Sequence, residues 1–337
     1  MNGVPIKGEI LTLRPYKLLC LVCQIGEEGF TAREEKIKEI LQTIRERPDI
    51  PIMLRCNAGD VFSYQDPGVD DDTPEGAEFN VKRDLEILQR MDLPPGCILP
   101  ARIILHRVFE RIPSVSEICT YDAVTSQEWK GCAKAKMGCY EKGRQKGIDA
   151  IIPPRSREEM RREKERSLEA LYSAKEVTIR PHILMCAVCQ YGGGVRPPYE
   201  PDNLPELLEM VLTKKPDIPI KLVRGADWMI CAPCPTHVPE LNACVNVAGH
   251  GGLSNQLRDL RVLQRLGLKY GDKMPARDLC LLIFEKIPTT KDVCALDNPK
   301  TSMWCDPCGE ANLTKGIEEY DKGRQMLMEK LKAFGEI

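Results

Sequence analysis

Histidine is scarce in this chain, with only four among 337 residues. None stands in a recognisable order with a serine and an acid, so a hydrolase triad has no support. Long apolar runs are missing as well. Nothing approaches the roughly 18 residues of a membrane span, and the start of the chain has no secretory apolar core. Charge of one sign is not in excess, since 48 basic residues face 50 acidic ones. Lys and Arg are nowhere concentrated with interleaved aromatics, so the footprint of a nucleic-acid binder is absent. The glycine clusters Gly192-Gly193-Gly194 and Gly249-His250-Gly251-Gly252 have neither Rossmann nor P-loop spacing and read as turns. These absences lead to the expectation of a soluble, cytoplasmic protein with no nucleic-acid partner and no membrane span.

What is abundant is cysteine, with sixteen residues. In a reducing cytosol so many thiols point to metal ligands or redox groups before disulfides. The length favours two compact units, each large enough to fold without disulfide staples.

The chain repeats itself. Arg14-Pro15, Leu18, Cys20, Val22 and Cys23-Gln24 return as Arg180-Pro181, Leu184, Cys186, Val188 and Cys189-Gln190. Pro48-Asp49-Ile50-Pro51-Ile52 returns as Pro216-Asp217-Ile218-Pro219-Ile220, and Arg83-Asp84-Leu85 as Arg258-Asp259-Leu260. Pro100-Ala101-Arg102 returns as Pro275-Ala276-Arg277, and Tyr140 with Lys142-Gly143-Arg144-Gln145 as Tyr320 with Lys322-Gly323-Arg324-Gln325. The order never changes, so the chain reads as a tandem duplication. A first repeat spans 1–152 and a second spans 179–337. Between them, 153–178 reads as a charged linker helix, opened by the capping box Ser156-Arg157-Glu158-Glu159.

Local signals give each half an α+β, mostly helical fold with cysteines in the connections. Thr31 with Glu34 opens a helix to about 47, and Ile50 to Leu54 fits a short buried strand. Helices follow near 78–91, with Val81, Leu85 and Leu88 as the expected apolar stripe, and near 99–112, ended by Pro113. The second half is expected to repeat them near 203–213, 254–266 and 275–287, with Ser254 as a helix cap.

The strongest local motif is Cys231-Ala232-Pro233-Cys234-Pro235, followed by Cys244. A C-x-x-C bend turns two thiolates toward one ion or cluster, and the following proline resembles the Cys-Pro ending of cluster-binding runs. Zinc suits four thiolates too and stays as the alternative. Through Arg180-Pro181-His182, Leu184, Cys186, the Asp227 to Cys234 segment, Cys244 and the stretch around Leu266-Gly267-Leu268, the second half resembles the family catalogued as domain of unknown function 1284. Members of that family are labelled iron–sulfur binding. The resemblance covers about a third of the chain and implies that Cys186, Cys231, Cys234 and Cys244 form one four-thiolate site. The first half has Val61 to Gln65 where the C-x-x-C belongs, so that site reads as lost there.

A further constellation occurs in both halves. Cys119 and Cys294 correspond, Trp129 and Trp304 correspond, and each Trp leads into more cysteines. This gives a second set of Cys189, Cys294, Cys305 and Cys308, and a third of Cys23, Cys119, Cys132 and Cys139, in which Cys20 or Cys56 could exchange. One C-x-x-C at a turn or strand end would feed two neighbouring sites if its cysteines point opposite ways. Cys97 is unassigned, and Cys280 lies on an apolar helical stripe as an inert buried thiol. His182 is expected to pack or hydrogen-bond, and His237 to face solvent or replace a thiolate.

The expected function is an iron–sulfur protein of a reducing or anaerobic metabolism. Two or three clusters of the 4Fe-4S kind would pass single electrons to a redox partner protein. The alternatives are a cluster-dependent enzyme with an open iron position near His106 or His182, and a zinc-stabilised interaction module. No catalytic residue is assigned, and oligomeric state is not legible.

Overall fold

The computed structural model describes residues 10–27, 32–56, 73–245, 252–295 and 314–333. The chain divides into two compact units, 1–154 and 155–337. Both are mostly helical with one small mixed sheet, and the second adds a two-stranded hairpin.

The first unit runs β1 (Leu11–Leu13), α1 (Tyr16–Gly26), α2 (Ala32–Glu46), β2 (Pro51–Leu54), α3 (Ala77–Met91), β3 (Ile98–Pro100), α4 (Ala101–Arg111), α5 (Ala133–Lys136) and α6 (Cys139–Lys146). Strands β1 and β2 are parallel, with Leu11 opposite Ile52, and β3 lies antiparallel to β2, with Pro51 opposite Pro100. A parallel pair needs a long crossover, which α1 and α2 supply. Helix α1 is buried almost all round, from Tyr16 to Ile25. That explains why periodicity does not reveal it, because an all-apolar helix has no polar face to count from.

The second unit runs α7 (Arg157–Ser173), β4 (Val177–Ile179), α8 (Ile183–Gly192), α9 (Leu204–Thr213), β5 (Pro219–Leu222), α10 (Trp228–Cys231), β6 (His237–Val238), β7 (Ala243–Cys244), α11 (Leu253–Leu266), β8 (Lys273–Pro275), α12 (Ala276–Lys286) and α13 (Thr314–Ala333). Its sheet has the same topology, with Val177 opposite Ile220 in parallel and Pro219 opposite Pro275 in antiparallel pairing.

Two devices recur in both units and account for much of the repeated sequence. In the first, an aspartate ties the end of a strand to the start of a helix. Asp84 accepts from Arg14 Nε at 2.7 Å and from the Tyr16 amide at 2.9 Å. Asp259 accepts from Arg180 Nη2 at 2.7 Å and from the His182 amide at 3.0 Å. In the second, glycines let helix backbones touch. A Cβ on Gly143 would stand 1.9 Å from the Val22 carbonyl oxygen, and one on Gly323 would stand 2.2 Å from that of Val188. The neighbouring Tyr140 and Tyr320 hydroxyls donate to the Ile112 and Ile287 carbonyls at 2.7 and 2.8 Å, closing the ends of α4 and α12.

Several expectations are corrected. The charged helix α7, expected as a linker, packs into the second unit. Lys164 meets Glu206 at 2.7 Å, Asn203 donates to Ser167, and the Trp228 indole donates to Glu163 at 2.7 Å. Its cap is the expected one, with Ser156 Oγ accepting from the Glu159 amide at 3.1 Å. The buried face of α3 is Phe79, Asn80, Arg83, Asp84, Ile87, Leu88 and Met91, while Leu85 is 39% exposed. Polar Arg83 and Asp84 take the interior because they have partners there, and apolar counting misplaces the stripe. Ser254 is not the cap of α11, whose N-cap is Gly252 in the left-handed region at φ 78°. Thr31, expected as a cap, and 61–65, where the first-half motif belongs, lie outside the described residues.

Candidate metal-thiolate sites

Four elements of the second unit deliver the cysteines of the first set to one place. Cys186 comes from α8, Cys231 from the last turn of α10, Cys234 from the bend that follows, and Cys244 from β7. All four line a single cavity of about 270 Å³, together with Arg180, His182, His237 and Arg258. The bend is built locally. Asp227 caps α10 by accepting from the Met229 amide at 2.9 Å, and the Cys234 amide donates to the Cys231 carbonyl at 2.9 Å. Arg155 clamps the bend from outside, donating to the Ala232 and Cys234 carbonyls at 2.8 and 2.7 Å. Thr236 Oγ1 touches both Cys234 Sγ (3.2 Å) and Cys244 Sγ (3.4 Å).

Burial pushes the Cys231 thiol well above its usual range, reinforced by Cys234 and opposed by Arg180. Cys234 is raised by burial against the hydrogen bonds of Thr236. The ligand form of cysteine is the thiolate, so a cation must replace the protons these thiols hold. His237 does not face solvent. It is 2% exposed, stands opposite Cys244 in the hairpin, and its ring lies against Ala226 without a normal hydrogen bond on either nitrogen. His182 does hydrogen-bond, through Nδ1 to Asp259 at 2.6 Å.

Cys186 and Cys189 sit on a helix, not on a turn or strand end. Three residues correspond to about 300° of rotation, so the two thiols leave α8 on directions about 60° apart. Cys189 points away from the cavity lined by Cys186 and toward α13, where its Sγ lies 3.7 Å from the Gly316 carbonyl oxygen. Cys294 and Cys280 join it around Tyr320. Cys305 and Cys308, the rest of the second set, lie outside the described residues. Cys280 is buried in the α12 core, where burial alone pushes its thiol to about 12.

The third set also gathers. Cys23 on α1 has Cys20, Cys119, Cys132 and Cys139 as electrostatic neighbours, and burial raises its thiol well above the ordinary value. The Cys132 amide donates to the Cys119 carbonyl at 2.8 Å, and Cys139 opens α6 at the glycine crossing with α1. Cys20 therefore joins this group. Cys56 is raised to about 11, by burial first, with Asp84, Arg14 and Cys97 as its neighbours. His106 on α4 has Arg102, Asp149 and Glu110 around it and is lowered by burial first.

A residue that cysteine counting misses stands beside these thiols. Arg83 is buried, stacks on the Tyr16 ring at 3.9 Å, and is an electrostatic neighbour of the Cys119 thiol. Burial pushes that thiol to about 12, against the pull of Arg83. The repetition of Arg83-Asp84 as Arg258-Asp259 is the signal that marks it.

All described cysteines are free thiols. Among the described residues, no three His, Cys, Asp or Glu side chains form a group that could hold a metal ion. The thiols of the second unit surround a cavity. A donor set of soft thiols is the chemistry that either zinc or an iron–sulfur cluster takes, and Arg180 and Arg258 stand beside it. No helix among the described residues is long and apolar enough to cross a membrane. No protein-family model matches this chain, no curated protein matches it, and no solved structure matches its fold. The likeness to domain of unknown function 1284 therefore stands on the quoted residues alone.

Proposed function

We propose that the chain is a cytoplasmic iron–sulfur protein, a tandem duplication whose halves each bind cluster iron through cysteine and pass single electrons to a redox partner. The observation that carries this reading is the convergence of Cys186, Cys231, Cys234 and Cys244 on one cavity from four separate elements. Ordinary packing gives no reason for four thiols to share one cavity wall. Cys23, Cys119, Cys132 and Cys139, with Cys20 beside them, would hold iron in the first half. Cys189 and Cys294 would do so in the second half with Cys305 and Cys308.

A bound cluster supplies one-electron chemistry, and its potential depends on charge, hydrogen bonds and exposure around the sulfurs. The protein's part is to exclude water by burial, fix the Cys231 to Cys234 bend through Asp227 and Arg155, and place arginines beside the thiolates. One observation favours a second reading, a cluster-dependent enzyme. The cavity also includes His182, Tyr199, Asn255 and Leu204, which leaves walls for a small substrate.

Cys231→Ser in the full chain tests the assignment. Anaerobically purified variant should lose the iron and sulfide of one site and keep those of the first half. Zinc in place of iron, or unchanged iron content in the variant, would contradict the proposal.

A further inference from the structure

We propose that Arg83, and Arg258 at the matching position of the second unit, are counter-ions of the thiolate centres, each a buried positive charge that favours the reduced form of its cluster. This rests on the iron–sulfur reading and adds to it which residues set the potential.

The argument begins with the repeated Arg-Asp pair. Each aspartate is committed to the other arginine of its unit, Asp84 to Arg14 and Asp259 to Arg180, both at 2.7 Å. The arginine next to each aspartate in sequence is buried as well, Arg83 at 2% exposure and Arg258 at 3%. Among the described residues of the first unit, the buried guanidiniums of Arg14 and Arg83 share one buried carboxylate, Asp84. Burying a charge costs several kcal/mol unless an opposite charge is near.

The setting of Arg83 shows where that opposite charge belongs. Asn80 Oδ1 accepts from Arg83 Nη2, and the Asn80 amide group is itself fixed by donating to the Gly76 carbonyl at 2.8 Å. Tyr16 and Phe79 cover the guanidinium at 3.9 and 5.0 Å. Its Nε has no hydrogen-bond partner among the described residues, and the group meets Cys119, with Cys20 nearby. Asp84 lies near Arg83 too but is already paired with Arg14, and neutral thiols supply no second negative charge. Four thiolates around a core of charge 2+ leave two negative charges, and one more arrives on reduction. Arg258 is buried on the wall of the cavity that Cys186, Cys231, Cys234 and Cys244 line.

Redox titration of the full-length, cluster-loaded protein, followed by electron paramagnetic resonance, reads the effect. Arg83→Gln should lower the midpoint potential of the first-half centre, with at least a tenfold drop in the reduced-to-oxidised ratio at fixed poise, about 59 mV for one electron. Arg83→Lys, which keeps the charge, should stay within twofold of wild type. Arg258→Gln should shift only a second-half centre. If Arg83→Gln fails to load iron while Arg83→Lys loads it and keeps its potential, the charge requirement stands. Iron-loaded Arg83→Gln with an unchanged potential, or loss of iron in both variants, would reduce Arg83 to a packing residue. Wild-type protein without iron or sulfide would overturn the cluster reading and this inference together.

Discussion

Asp84 and Asp259 perform the same structural task in different electrostatic company. Each joins an arginine at a strand end to the first amide of a cysteine-bearing helix. In the first unit burial outweighs the pull of Arg14, and the carboxyl is raised to about 6. In the second, burial is overcome by the His182 ring at 2.6 Å and by two bonds from Arg180, and the carboxyl is held below its usual value. The sequence difference behind this is Tyr16 against His182. The framework is shared, and the environment of the carboxyl differs through the residue at the start of each helix together with the bonds that the strand-end arginine gives it.

The glycine crossings are where the two units can be broken with the largest effect. Gly143→Val and Gly323→Val each force a side chain into a facing backbone, which no rotamer relieves. Each should destabilise its own unit by more than about 3 kcal/mol, read as loss of hydrogen-exchange protection in that half. Normal protection in either variant would mean the helices do not cross as described.

Removing the aspartates comes next. Asp259→Asn breaks a buried ion pair and should cost about 3–5 kcal/mol near neutral pH. The pH dependence of the two units should run in opposite directions. Asp259 is depressed, so its stabilising contribution is present above the ordinary carboxylate value and is lost as pH falls through its folded value. Asp84 is raised, so its contribution is present at acid pH and is lost as pH rises through about 6. His182, lowered by burial first, adds to acid weakening of the second unit because the unfolded chain takes up its proton first. Chemical denaturation of Asp84→Asn and Asp259→Asn at pH 7 and pH 5 checks this, with the reciprocal exchanges Tyr16→His and His182→Tyr as the sharper version. Parallel pH profiles for the two aspartates would contradict the account.

Arg155→Ala should have a smaller effect, about 1–2 kcal/mol, because it leaves the Ala232 and Cys234 carbonyls of the cysteine bend without that donor. Its readout is faster release of iron to a chelator from the second unit alone. Cys280→Ala should matter least. It removes a buried thiol at a cost of about 1 kcal/mol and should leave iron content unchanged, whereas iron loss would place Cys280 among the ligands.

Helices α2, α3, α4, α9, α11 and α12 are legible in the chain because amphipathic patterns and terminating residues mark them. Helices α1 and α8 are not, since a wholly buried helix carries no period, and the C-x-x-C they hold reads as a bend. The spacing of Cys231 and Cys234 is legible as a bend, whereas the cavity that Cys186, Cys231, Cys234 and Cys244 line and the nearness of Cys23 to Cys119, Cys132 and Cys139 come from tertiary packing. The burial of Arg83 is hidden by its neighbours. Val81, Leu85 and Leu88 form a plausible apolar stripe, and only tertiary contacts reveal that Arg83 and Asp84 turn inward. The burial of His237 is hidden for a related reason, because it depends on the short hairpin that pairs it with Cys244.

The most direct test of the central claim is the iron and acid-labile sulfide content of the anaerobically isolated full-length protein, measured beside Cys231→Ser and Cys119→Ser. The account predicts equal iron and sulfide in the wild type, with each variant losing a separate share. Absence of iron and sulfide from the wild type, or loss of all iron in either single variant, would contradict two halves that each bind their own thiolate centre.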